Sequence, residues 1–389
     1  MANLKSLGLP KSFCFAPYTN LDLDQDGSVY PCYRSKESQT YWKVHHVHQN
    51  LNSEKFQQLR LDLWNGKQNA NCIQCHRREA QGIRSTRQEY NEYFLKDIAE
   101  DLSFVEYIKK QPQFSGPEYI HTMEIRPHSL CNLACGHCDE HSSSRWIKLK
   151  NLKKDDYKYH LIDNPEYLKG LYQRAKNLKT VHFTGGEPLI YASAHKEWLN
   201  GINNKSNVEL RYHTNLQHEK IHTYGMEWDK FKSVKFFVSI DVSEKYYSYF
   251  RYGSRWDLLD YNINALKKMG HEVVGIITVN ALTMFDLESL VDYIASKDLQ
   301  LHVAYVDPPH PISSVYLSKE QKQDAQEQIT NAKLNLKYNE EWKVIRGLKA
   351  LSGISDFINT EYNGNVMHPN LVAHLDYLDK TYKMKWNKL

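Results

Sequence analysis

From Glu118 onward the apolar residues fall into short β-rich runs separated by stretches with helical spacing. Strands are predicted at 119–126, 180–184, 208–213, 234–241, 273–279 and 299–306, with helices such as 256–269 and 286–296 between them. Six strand–helix repeats in series argue for an α/β fold with a parallel, barrel-like sheet, a partial (β/α)6 TIM-like barrel over residues 118–311. In such sheets the chemistry sits at the carboxyl ends of the strands. That is where a cysteine loop, Glu187, Asn215, Asp241, Asn280 and Asp307 fall.

The pattern before Glu118 is different. Residues 13–24 alternate apolar and polar positions, turn at Asp26-Gly27 and return through Val29 and Tyr30, the signature of a hairpin. It places Cys14 and Cys32 near the open ends of that hairpin. Residues 56–64 have helical spacing and stop at Gly66, with Cys72 and Cys75 shortly after, so residues 1–87 form a cysteine-rich module. Tyr90, Phe94, Ile98, Leu102 and Val105 then mark a helical connector, 88–117, that ends near Pro112 and Gly116-Pro117. Residues 312–389 read as a helical, polar appendage whose apolar face is Leu371, Leu375, Leu378 and Tyr382.

Composition changes this picture little. The 389 residues carry a net charge of +4 spread along the chain, which points to no membrane partner and leaves a nucleic-acid partner open. No run is apolar enough to span a bilayer, and no secretion signal is read at the start, so a cytoplasmic protein is expected.

Cysteine spacing changes it a great deal. Seven cysteines without an export signal argue against disulfides. Three of them, Cys131, Cys135 and Cys138, lie at Cys-x3-Cys-x2-Cys spacing directly after the first barrel strand. Three thiolates hold three irons of a cubane cluster and leave the fourth iron open for another ligand. Cys14, Cys32, Cys72 and Cys75 make a full set for a closed site, either a second cluster or a structural zinc. The Cys72–His76 run also spells a covalent haem-attachment motif, but that belongs to exported proteins. Asp22, Asp24 and Asp26 lack the glycine and distal glutamate of a calcium loop and are expected to be solvated.

The cysteine triplet after one strand, with Gly185-Gly186-Glu187-Pro188 after the next, resembles the radical S-adenosylmethionine (radical SAM) superfamily. The resemblance implies a [4Fe–4S] cluster on Cys131, Cys135 and Cys138. It also implies S-adenosylmethionine on the open iron and reductive cleavage to a 5′-deoxyadenosyl radical that takes hydrogen from a substrate. Gly185, Gly186 and Glu187 would line the methionine amino group. Ser239 and Asp241 resemble ribose and carboxylate contacts, Arg251 matches an arginine that meets the carboxylate, and His137 stands where an aromatic residue lies beside adenine. Cys14, Cys32, Cys72 and Cys75 resemble the SPASM and twitch auxiliary-cluster modules, here placed before the barrel, and imply a second [4Fe–4S] cluster. An external electron donor such as flavodoxin or ferredoxin is implied, and the expected substrate is a peptide or protein side chain. The alternatives are radical modification of a nucleotide, sugar or nucleic-acid base, and a non-enzymatic iron–sulfur or zinc-binding interaction protein. With all seven cysteines committed, a relay through the protein would use the auxiliary cluster or a tyrosine, and Tyr305 and Tyr212 on strands near the cleft are the candidates.

Overall fold

The structure is a computed structural model that describes residues 3–25, 28–38, 51–80, 84–98, 103–152, 165–190, 192–219, 221, 228–360 and 362–388. Its strands are β1 (Asn20–Leu23), β2 (Val29–Tyr30), β3 (Thr122–Ile125), β4 (Ala134–Cys135), β5 (Thr180–Phe183), β6 (Glu209–Thr214), β7 (Ser233–Ser239), β8 (Arg251–Tyr252), β9 (Glu272–Val279) and β10 (Gln300–Tyr305). Eight of them form one sheet in the order β10-β9-β7-β6-β5-β3-β1-β2, and β4 pairs with β8 apart from it. The six expected barrel strands are all present, each parallel to the next, and the sheet is not closed. This is a partial TIM-like barrel.

Each edge of the six-stranded arc is occupied by a different part of the chain. On one side β1 pairs in parallel with β3, Leu21 opposite Met123, and β2 returns antiparallel to β1. The first module is thereby hydrogen-bonded into the barrel sheet rather than set apart from it. On the other side the ring of Phe357, from helix Glu341–Ile358, packs 4.4 Å from Tyr305 at the end of β10.

Parallel strands buried on both faces are normally apolar throughout. Here β5, β6 and β7 alternate. Val181, Phe183, Leu210, Tyr212, Phe236 and Val238 point outward into the main core beneath the helices. Between them His182, Arg211, His213, Phe237 and Ser239 are only partly buried and face inward. The His182 and His213 rings stack 4.6 Å apart and His213 lies 5.1 Å from Phe237. The barrel interior is therefore a polar chamber rather than a packed core.

The N-terminal segment differs from the alternating strand expected over residues 13–24. Only Asn20–Leu23 is strand; Ala16–Thr19 is a single helical turn, opened by Pro17, which has no N–H to give a ladder. Every residue from Phe13 to Leu23 is buried, because Phe13, Phe15 and Tyr18 build a second core with Phe94, Phe104 and Ile108. The turn expected at Asp26-Gly27 lies outside the described residues. The connector consists of two helices, Thr86–Ile98 and Ser103–Lys110, and touches the barrel directly: the Tyr93 hydroxyl is 3.2 Å from Thr180 Oγ1 and accepts from Arg211 at 3.2 Å. No helix among the described residues is long and apolar enough to cross a membrane.

The C-terminal region is helical as expected, with helices Lys319–Asn335, Glu341–Ile358 and Pro369–Tyr382. Leu371, Leu375, Leu378 and Tyr382 are buried. Leu378 lies against Gly136 of the cysteine loop and Tyr382 donates to Ala134 O, a destination the sequence pattern did not supply.

Candidate functional site

The chain leaves β3 at Ile125 and runs through the cysteine loop before reaching β4. Two glycines bring the next strand's loop against it. Gly185 has φ of 113°, and a Cβ there would lie 2.7 Å from the carbonyl oxygen of His128. At Gly186 a Cβ would lie 2.2 Å from the Leu130 oxygen, closer than any side chain tolerates. With no Cβ in the way, the Gly186 N–H donates to His128 O at 3.0 Å and the Glu187 N–H to Leu130 O at 2.8 Å. The glycines let backbone meet backbone, so the two motifs form one piece of structure.

The Glu187 carboxylate is fully buried and turned away from the cleft. It accepts from Thr214 Oγ1 at 2.8 Å, Asn215 N at 2.7 Å and Leu189 N at 3.2 Å, and pairs with His218 Nε2 at 3.2 Å. Burial alone would raise its pKa, but His218 and these donors outweigh burial and hold it below the usual carboxylate range. Glu187 thus ties the end of β5 to the end of β6. Asn215, fixed in this way, donates to Asn132 Oδ1 at 2.8 Å and lies 3.8 Å from Cys131 Sγ.

A cleft of about 280 Å³ opens at the strand ends. Cys131, Cys135, Cys138 and His137 line it from the loop, Thr184, Gly185 and Gly186 from β5, and Ser239 and Arg251 from the far side. Cys135 is directly opposite Arg251 in the β4–β8 pair. Asp241, with φ of 65°, is buried behind that arginine; its Oδ2 accepts from Arg251 Nη1 and its Oδ1 from Thr278 N at 2.8 Å. Burial opposes the Arg251 charge, but Cys135 and Asp241 beside it outweigh burial and keep its pKa above the ordinary value. Arg251 Nε, Thr184 Oγ1 and His137 Nδ1 are buried with no hydrogen-bond partner among the described residues. The His137 ring stacks on Phe250 at 5.3 Å. Of the expected cofactor residues, then, His137, Gly185, Gly186, Ser239 and Arg251 meet at the cleft, while Glu187 and Asp241 stand behind it.

Burial pushes the Cys131 thiol up to about 12, and the neighbouring Cys135 adds to the effect. Such thiols ionise only with a positive partner, as a bound iron would be. The Leu133 N–H already points at Cys131 Sγ, 3.4 Å away. The upstream four behave alike. Cys14, Cys32, Cys72 and Cys75 are all shifted upward by burial first, and each of Cys14, Cys32 and Cys72 is raised further by thiols of the same set. Backbone N–H groups of Ala16, Arg34, Ser35 and Arg87 bond to Cys14, Cys32 and Cys75 and favour their thiolates. Among the described residues no three His, Cys, Asp or Glu side chains are set to grip a single ion. The thiols are gathered in two places, and their donor chemistry fits iron–sulfur ligation in both.

The two places are mechanically joined. Arg34 and Arg78, which follow Cys32 and Cys75 in the chain, both bond to Asp307 beyond β10, at 3.0 and 2.9 Å. Tyr33, next to Cys32, lines the same cleft as the cysteine triplet. Sequence reasoning passed over Tyr33 and His213; the second was legible in the inward positions of β6. Its two chosen tyrosines do not line the cleft. Tyr212 is fully buried on the outer face of β6, accepting from Trp228 Nε1 at 3.3 Å, because strand alternation turns it away from the chamber. Tyr305 packs on Phe357 with the Arg78 guanidinium 5.3 Å from its ring, and its hydroxyl faces Gly353.

Residues 125–294 match the radical SAM superfamily, and residues 14–76 match the SPASM iron–sulfur cluster-binding domain. This chain carries a radical SAM domain. Its radical SAM domain binds S-adenosylmethionine and a [4Fe–4S] cluster, and its SPASM domain, placed ahead of the barrel, binds auxiliary iron–sulfur chemistry. No curated protein matches the sequence. Among solved structures, anSMEcpe with bound AdoMet and Cp18Cys peptide is 17% identical, with a TM-score of 0.42 over 54% of this chain and 58% of that one. SuiB of Streptococcus suis bound to S-adenosylmethionine is 16% identical, with a TM-score of 0.44 over 76% of this chain and 62% of that one. SuiB bound to its precursor peptide SuiA is 17% identical, with a TM-score of 0.41 over 79% and 64%. This chain therefore spans less than two thirds of each.

Two outcomes follow for the radical SAM domain. Gly186→Ala is expected to drive the β5 loop off the cysteine loop and weaken S-adenosylmethionine binding by about tenfold or more, read by calorimetry on the anaerobically reconstituted protein. Glu187→Gln is expected to cost about 2 kcal/mol near neutral pH, because the amide turns an N–H2 group toward donors that the carboxylate oxygens now accept from. A carboxylate with a depressed folded pKa contributes its full stability above its unfolded value, about 4.3, and loses it as pH falls through the folded value. Urea unfolding should accordingly show wild type and variant converging below about pH 4.3.

Proposed function

We propose that this radical SAM enzyme removes a hydrogen atom from a peptide or protein side chain. What supports the reading is the cleft itself. The cysteine loop walls it on one side, the polar strand faces bearing Glu124, Arg126 and His213 on another, and Tyr33 of the SPASM domain on a third. Two matched domains thus share one cleft, and the polar groups on its strand side offer hydrogen bonds to the main chain of a peptide segment.

When bound, the cluster and S-adenosylmethionine supply an electron and a 5′-deoxyadenosyl radical. The rest falls to this chain's own residues. Cys131, Cys135 and Cys138 are assigned to the loop cluster, and Cys14, Cys32, Cys72 and Cys75 to the auxiliary cluster. Arg251, whose Nε has no partner among the described residues, is assigned to a carboxylate, and its pair with Asp241 supports that assignment. Ser239 is assigned to the ribose and His137 to the adenine. Gly185, Gly186 and Thr184 wall the methionine end, with Glu187 as their brace. The free state of all seven described thiols fits a reducing compartment, which for this protein we take to be the cytoplasm, with a low-potential carrier such as flavodoxin or ferredoxin as electron source.

The test uses the reconstituted enzyme, dithionite and perdeuterated cell extract separated into peptide-and-protein, nucleotide, sugar and nucleic-acid fractions. Deuterium is expected in 5′-deoxyadenosine from the first fraction only, by mass spectrometry. Label arriving solely from another fraction would overturn the peptide reading. In the same assay the Cys131→Ala, Cys135→Ala, Cys138→Ala variant should release no 5′-deoxyadenosine while keeping about four irons.

A further inference from the structure

The residues beyond 294 lie outside both matched domains, yet they reach the cysteine loop. Three successive carbonyl groups there are taken by side chains from elsewhere in the chain. Tyr382 donates its hydroxyl to Ala134 O at 2.7 Å, Trp146 Nε1 donates to Cys135 O at 3.0 Å, and His374 Nε2 donates to Gly136 O at 2.8 Å. Two of these three donors come from one helix, Pro369–Tyr382. That helix is itself locked in place: the Tyr382 ring lies 4.4 Å from Tyr252, nearly parallel to it, and Tyr249 donates to Asp379 Oδ1 at 2.8 Å.

Gly136 lies between Cys135 and Cys138, and both edges of its backbone are held. Its N–H donates to Phe250 O at 2.8 Å, its carbonyl goes to His374, and a Cβ would lie 3.1 Å from both Leu378 and Phe250. A trans peptide directs its C=O and N–H to opposite sides. Binding Gly136 O against the helix therefore turns the His137 N–H away from that helix, and binding Ala134 O turns the Cys135 N–H away from Tyr382. Amide hydrogens directed at cluster sulfurs are among the groups that set a cluster's potential.

We infer that helix Pro369–Tyr382 is part of the catalytic centre, with Tyr382 and His374 as positioning residues that clamp the backbone on either side of Cys135 and so orient the loop for its cluster. The inference rests on the radical SAM assignment and is independent of the substrate.

The test compares Tyr382→Phe, His374→Ala and His374→Gln with wild type, all reconstituted anaerobically. Leu371→Ala serves as a control, since Leu371 is buried at the far end of the same helix. Each positioning variant should keep about eight irons. Dithionite-driven release of 5′-deoxyadenosine should fall about fivefold for each of Tyr382→Phe and His374→Ala, the loss of one hydrogen bond. The potential of the loop cluster should move to more negative values, and the change that S-adenosylmethionine makes in the reduced protein's paramagnetic resonance spectrum should alter. His374→Gln, which keeps a donor, should recover part of both. Wild-type potential and spectrum in Tyr382→Phe and His374→Ala would overturn the clamp, as would an equal change in Leu371→Ala. Absence of cleavage in the wild type would instead count against the family assignment.

Discussion

The site depends on a contact between two backbones. Gly186 and Glu187 donate their N–H groups into the carbonyls of His128 and Leu130, at a separation that no Cβ would permit. From this seam the order propagates. The chain turning at Glu187 buries a carboxylate whose acceptor positions are filled by Thr214, Asn215, Leu189 and His218, so the ends of β5 and β6 are fixed by the loop that fixes the cysteines. Asn215 then reaches back to Asn132 and Cys131 and closes the circuit. A buried carboxylate is tolerable only when its lone pairs are answered in this way.

A second circuit of the same kind runs through Asp241. It is buried in a left-handed conformation, accepts from Thr278 and Arg251, and holds a guanidinium opposite Cys135 with Nε unspent. In both circuits the carboxylate faces protein and what it supports faces the cleft: Asn215 in one case, Arg251 in the other. The acidic residues of these two circuits are thus scaffolding, and what they hold toward the cleft is a cation in one case and a neutral donor in the other. A cation fixed in this way suits the recognition of an amino-acid carboxylate.

What could be read in the sequence was whatever depends on spacing along the chain. The six barrel strands, the cysteine triplet, the glycine pair and the four upstream cysteines are local patterns, and each appears where it was placed. Side-chain direction was harder. Tyr212 was chosen as a cleft residue, although strand parity gives that place to His213, and Tyr305 turns toward Phe357 because a later helix covers β10. Glu187 and Asp241 were expected to meet the ligand, but their partners come from other strands and are invisible until those strands are paired. The apolar face Leu371, Leu375, Leu378 and Tyr382 was legible as a face, and its target was not. Periodicity reports that a stripe is buried and says nothing of what buries it.

The same limit bears on how the two cysteine sets relate. In the sequence they are separated by more than fifty residues and look like separate modules. In space β1 is a strand of the barrel sheet, Asp307 at the opposite end of that sheet binds Arg34 and Arg78 beside Cys32 and Cys75, and Tyr33 stands in the cleft. A module anchored at both edges of an open arc cannot swing away from it. The SPASM domain therefore acts as the missing wall of the barrel: it takes the place that further strands would fill in a closed sheet, and with Tyr33 it brings the neighbourhood of the second cysteine set to the rim of the cleft.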